Sequence, residues 1–97
     1  MVKHVFCVKD EIVGFMSPII ETNSDVAIRN FKYSMMRLLV DEDSACPVDD
    51  YNLYEIGTFN MDNGELISCE PKLIYTGVRV IKEYNAINIK KEGAENE

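Results

Sequence analysis

DYNLYEIGTFNMDNGEL, residues 50–66, is the stretch on which the fold turns. From Tyr51 to Phe59 it alternates with a period of two. Tyr54, Ile56 and Thr58 would then share one face and Tyr51, Leu53 and Phe59 the other, as in a half-buried strand. Asp62, Asn63 and Gly64 tolerate positive φ, so the chain is expected to reverse there into a second strand over residues 65–69. Pro71 should interrupt that strand, and residues 72–75 resume it at an edge. A lone hairpin is only marginally stable in water, so the rest of the chain must supply more strands and a covering helix.

The N-terminal third supplies both. Residues 2–8, VKHVFCV, are rich in β-branched and aromatic side chains and read as a strand buried on nearly both faces. Asp10 and Glu11 would turn it into a short second strand, residues 12–16, closed by Pro18. Helix start signals follow at residues 22–25: Thr22 and Asp25 have capping-box spacing, and Asn23 or Ser24 could equally serve as N-cap. Ala27, Ile28, Phe31, Met35, Leu38 and Leu39 then fall on one side at helical spacing, the pattern of a helix laid on a sheet. Asp25 near its start and Arg37 near its end suit the helix dipole.

The remaining segments are simpler. Residues 41–50 carry five acids and Pro47 and read as a loop. Beyond Gly77, Val80, Ile81, Tyr84 and Ile87 fit a helical face, while residues 85–90 alternate like a strand; the helix is the preferred reading. The last residues, KKEGAENE, have no apolar anchor. The expectation is a single α+β domain over residues 1–90, in ββαββ order. It comprises a small antiparallel sheet with one main helix packed on it, a C-terminal helix or strand, and a disordered tail at residues 91–97.

Composition narrows the function. With 97 residues, 46% of them apolar, the chain has room for one globular domain. No run approaches the roughly 18 apolar residues of a membrane span, and charge interrupts the N-terminus too early for a signal peptide. Three cysteines, Cys7, Cys46 and Cys69, with no CxxC spacing suit reduced thiols in a cytoplasm. One histidine, His4, completes no zinc set. Asp41, Glu42 and Asp43 lack the alternation and central glycine of a calcium loop. No nucleophile motif or phosphate-cradling loop is present, so neither catalysis nor a cofactor or metal is expected.

Charge is informative through its distribution. The net charge is −7, yet residues 1–40 sum to +1, residues 41–70 to −9 and residues 71–97 to +1. An acidic chain of this kind can present a basic face if its middle third points elsewhere. On the helix, Arg29, Tyr33 and Arg37 recur every four residues with Lys32 between them. Such a stripe can pair phosphates and stack a base, the two contributions that single-strand binders combine; the plain alternative is a solvated face with a local cation–π contact.

The order of features resembles the small non-structural proteins of gokushoviruses, microviruses of bacteria described as encoding a DNA-binding protein. The matching pieces are VKDEIVGFMSPI, NSDVAIRNF at the helix start, and DYNLYEIGTFNMDNGEL leading to EPKLIYTG, together covering residues 1–77. The resemblance implies a non-catalytic phage protein of the host cytoplasm, tied to the switch from double-stranded replication to single-stranded genome synthesis and to packaging. Arg29 is the one basic residue of the matching helix motif.

Two functions are therefore expected to compete. The first is binding of single-stranded DNA through Arg29, Lys32, Tyr33 and Arg37, with Lys3, Lys9, Lys72 and Arg79 as further contacts. The second is an acidic interaction factor that engages a capsid or replication protein without touching DNA. Open sheet edges further predict a homo-oligomer.

Overall fold

The computed structural model describes residues 1–41 and 47–95. In chain order the elements are β1 (Val2–Asp10), β2 (Gly14–Glu21), α1 (Ser24–Val40), β3 (Tyr51–Asn60), β4 (Leu66–Thr76) and α2 (Gly77–Glu95), with one 3-10 turn, Val48–Asp50, before β3. The four strands make one antiparallel sheet in the order β2-β1-β3-β4. The α+β class and the ββαββ order are thus observed, with α2 added at the end.

Both helices pack on one side of the sheet. Their shared core is Phe6, Ala27, Phe31, Met35, Val48, Leu53, Tyr75 and Val80, with Ile28, Leu38, Leu39 and Ile81 partly buried against it. Phe31 of α1 meets Tyr75 of β4 edge-on, with ring centroids 6.3 Å apart, an arrangement favoured by the aromatic quadrupole. Asn23 caps α1, its side chain accepting from the Val26 N–H at 2.9 Å. Thr76 does the same for α2, accepting from the Arg79 N–H at 3.1 Å.

The strands run longer than the sequence pattern suggests. β2 does not stop at Pro18 but continues to Glu21, with Pro18 opposite Cys7. Proline is tolerated there because β2 is an edge strand, whose outer N–H groups have no ladder partner to lose. Pro71 likewise sits inside β4, the other edge, where the register jumps from Glu55↔Lys72 to Gly57↔Ser68. The jump is an irregularity that absorbs the proline without ending the strand.

A bulge in β3 changes which side chains share a face. Val5 pairs with Gly57 and Phe6 with Glu55, so Ile56 is an extra residue. Side-chain parity inverts across a bulge. Phe59, expected beside Leu53, therefore joins the row of Tyr54 on the opposite side. The hairpin turn forms as anticipated: the Gly64 N–H donates to the Asn60 carbonyl at 2.8 Å, and Gly64 has φ +78°.

After β4 the helical reading holds over the alternating one. The α2 backbone runs on to Glu95, through most of the 91–97 segment expected as a tail. Residues 42–46, which include Cys46 and the loop carboxylates Glu42 and Asp43, and residues 96–97 lie outside the described residues. Cys7 is buried and Cys69 exposed, both as free thiols.

Candidate nucleic-acid interface

The eight basic and aromatic residues singled out in the sequence are distributed over four places. Arg29, Tyr33 and Arg37 stay together on the outer side of α1, all three exposed. Neither arginine makes an ion pair among the described residues. Beside them lies an open cleft lined by Tyr33, Met36, Arg37, Val40 and Asp41. Arg29 lines a second cleft with Asp25, Tyr33 and Met36. Two cations and a ring spaced one turn apart, with Asp25 and Asp41 at the two ends, can receive phosphates and an unstacked base.

Lys32 and Arg79 are both drawn to Glu83, Lys32 partly buried and Arg79 still exposed. Lys32 Nζ lies 3.1 Å from Glu83 Oε2, and Arg79 Nε 3.3 Å from Glu83 Oε1. Both cations also stand over the Tyr75 ring, at 5.1 and 4.6 Å from its centroid. The Tyr75 hydroxyl donates to Glu83. The cluster therefore has one carboxylate shared by two cations and a phenol. The Tyr75 hydrogen bond, ahead of the Lys32 contacts, pulls the Glu83 carboxyl below its ordinary pKa, and hydrogen bonds to Tyr75 and Glu83 raise that of Lys32. Lys32 is committed to joining α1 to α2 and is poorly placed for an external phosphate, whereas Arg79 pairs with Glu83 within α2 and stays exposed over the Tyr75 ring.

Lys3 and Lys9 lie on the far side of the sheet, which no helix covers among the described residues. Lys9 pairs with Phe15 and Asn52, and Lys3 with Phe59. Lys9 Nζ is 5.2 Å from the Phe15 ring and 5.9 Å from that of Tyr54, and the two rings meet edge-on at 5.6 Å. Glu11 joins them, accepting from Asn52 Nδ2 and the Tyr54 hydroxyl, each at 2.7 Å, with Lys9 at 3.2 Å. These partners, Asn52 first and Tyr54 next, lower the Glu11 pKa to about 2. The same hydrogen bond raises that of Tyr54. Lys72 stands apart from both groups, in the row of Phe6 and Glu55 on the helix side. His4 shares that side, its Nδ1 3.2 Å from Glu55 Oε1 but misaligned for a hydrogen bond.

Phe15 and Tyr54 are the functional candidates that sequence reasoning missed. Each belongs to a strand row, but the rows meet only through a β1–β2 register shift between Cys7 and Lys9, which alternation alone does not reveal. The carboxylates also depart from a single acidic pole. Asp10, Glu11, Asp49 and Asp50 gather at one end of the strands, where the Glu11 N–H donates to the Asp50 carbonyl at 2.9 Å. Asp62 and Glu65 occupy the hairpin tip at the other end. The broad surfaces between the two ends hold the cations together with Glu55, Glu70 and Glu83.

Among the described residues no group of three or more His, Cys, Asp or Glu side chains could hold a metal ion, and no helix is long and apolar enough to cross a membrane. Comparison with curated proteins gave no match, and neither did comparison with solved structures. The family model described as "Phage ORF5 protein" matches residues 3–80, from the start of β1 to the first turn of α2. The chain belongs to this phage protein family.

Proposed function

We propose that this phage protein binds single-stranded DNA without catalysis, through the outer side of α1. It would act in the host cytoplasm as replication gives way to single-stranded genome synthesis and packaging. The observation that carries the proposal is the stripe Arg29, Tyr33, Arg37, exposed and without an ion pair among the described residues. Lys9, Lys32 and Arg79, by contrast, each face a carboxylate of the chain itself. The resemblance to gokushovirus non-structural proteins supplies the replication context, and family membership supplies the phage.

A fluorescence-anisotropy titration against single- and double-stranded oligonucleotides across a salt series tests it. Tighter binding to the single strand, weakening with salt and with Arg29→Glu, is expected. Binding indifferent to salt and to Arg29→Glu would remove the proposal. Absence of DNA binding, with capture of a basic capsid or replication protein, would favour the second reading. The acidic ends of the sheet, Asp49 and Asp50 at one and Glu65 at the other, are the surfaces that reading would use.

A further inference from the structure

The sheet has two broad faces, and the helices cover only one. On the other, the register sets Val5, Ile20, Gly57 and Ser68 in one row, Cys7, Pro18, Tyr54 and Leu73 in the next, and Lys9, Phe15 and Asn52 beyond. Val5 and Cys7 are almost fully buried yet stand outside the helix-side core. Around them Phe15, Ile20, Leu66 and Leu73 are each 46 to 66% exposed. A pocket of about 140 Å³ opens here, lined by Val5, Pro18, Ile56, Gly57, Leu66, Ile67 and Ser68, none of them charged. An apolar cavity of about 150 Å³ holds a benzene ring, so there is room for one apolar side chain.

We infer that this face is the contact between two copies of the chain, packed sheet against sheet. Four strands about 4.8 Å apart and about nine residues long give a face of roughly 20 by 30 Å. Two such faces together hide about 1,200 Å², the lower edge of what a stable specific interface buries. The molecule is also less compact than its length requires. Its radius of gyration is 15.9 Å, against about 12.5 Å for a compact chain of this size. Its smallest extent is 20 Å, the thickness of one sheet and one helix layer.

Charge favours a second copy over a nucleic acid at this face. The pocket lining has no cation for a phosphate and Lys9 is already matched by Glu11 at 3.2 Å, which leaves Lys3, opposite Phe59, as the single unmatched cation of this face among the described residues. The chain is strongly acidic, so two copies repel wherever carboxylates face each other. Here Asp62, Glu65, Asp49 and Asp50 lie at the strand ends, outside the apolar field. Packing by this face leaves the two α1 stripes on opposite outer sides of the dimer. The inference does not depend on what α1 binds.

Sedimentation or light scattering of the purified chain at about 100 µM tests it, since oligomer population follows protomer concentration. The expected mass is about 22 kDa, twice the 11.1 kDa of the chain. Ile20→Asp in β2 and Leu73→Asp in β4 sit on opposite margins of the face, and each should return the mass to that of the monomer with the circular dichroism of a folded chain. Tyr33→Asp on α1 should leave the dimer intact. A monomeric wild type would overturn the inference. Edge pairing would also overturn it, and would show as a response to only one of the two sheet variants.

Discussion

Lys32 Nζ on α1 lies 3.1 Å from Glu83 Oε2 on α2, so a cation that the helical spacing assigns to the DNA-facing stripe instead joins the two helices. Both side chains are about one third exposed, which limits a simple ion pair to about 1 kcal/mol or less. Glu83 also accepts from Tyr75 and pairs with Arg79. Removing it leaves three groups without their partner.

Glu83→Ala is accordingly expected to cost more than Lys32→Ala, about 1–2 kcal/mol against about 0.5–1. Urea denaturation checks the order. Lys32→Ala should leave DNA affinity nearly as in the wild type, in contrast to Arg29→Glu.

Acid should destabilise the protein partly through Glu11. Its folded pKa is depressed from 4.5 to about 2 by Asn52, Tyr54 and Lys9. The folded state therefore holds its proton less tightly than the unfolded chain, and the contribution is complete above about pH 4.5. It is lost as the pH falls toward 2. Glu11→Gln is expected to flatten that limb of the stability curve while the wild type keeps falling, as followed by thermal melts between pH 2 and 6.

Gly57 and Gly77 have no room for a side chain. A Cβ on Gly57 would overlap the Ile67 carbonyl of β4, and one on Gly77 the carbonyls of Val48 and Tyr51. These are backbone atoms that cannot swing aside. Alanine at either position should lower stability by about 1–3 kcal/mol, as overpacking does. A midpoint of denaturation unchanged in both variants would mean that the β3–β4 and β3–α2 approaches are looser than described.

If Arg29 and Arg37 each neutralise one phosphate, the salt dependence of single-strand binding should change in steps. Each contact contributes about −0.7 to the slope of log K against log salt. Arg29→Gln is expected to make the slope shallower by about that amount, and Arg29→Gln with Arg37→Gln by about twice as much. Tyr33→Ala should weaken binding with no change of slope, by about 1–3 kcal/mol if a base stacks on the ring.

Much of the fold could be read from local pattern because its determinants are local. The helical spacing of Ala27, Phe31 and Met35 marked the buried side of α1, and all three are buried in the core. The DNG turn fixed the β3–β4 hairpin through Gly64, and Val80 pointed to a helix after Gly77. The prolines misled because their effect depends on strand order: Pro18 and Pro71 break a central strand but not an edge, and the order β2-β1-β3-β4 is a long-range property.

The candidate site divides in the same way. The sequence by itself determined the stripe of Arg29, Tyr33 and Arg37, since three residues spaced by four share one side of any α-helix. Only the tertiary structure decided which cations stay available. Glu83 reaches Lys32 across fifty residues of chain and withdraws it, and the bulge at Ile56 carries Phe59 to the uncovered face with Tyr54. Neither effect has a local signature, because an ion pair between helices and a shift of strand parity exist only once distant segments have packed.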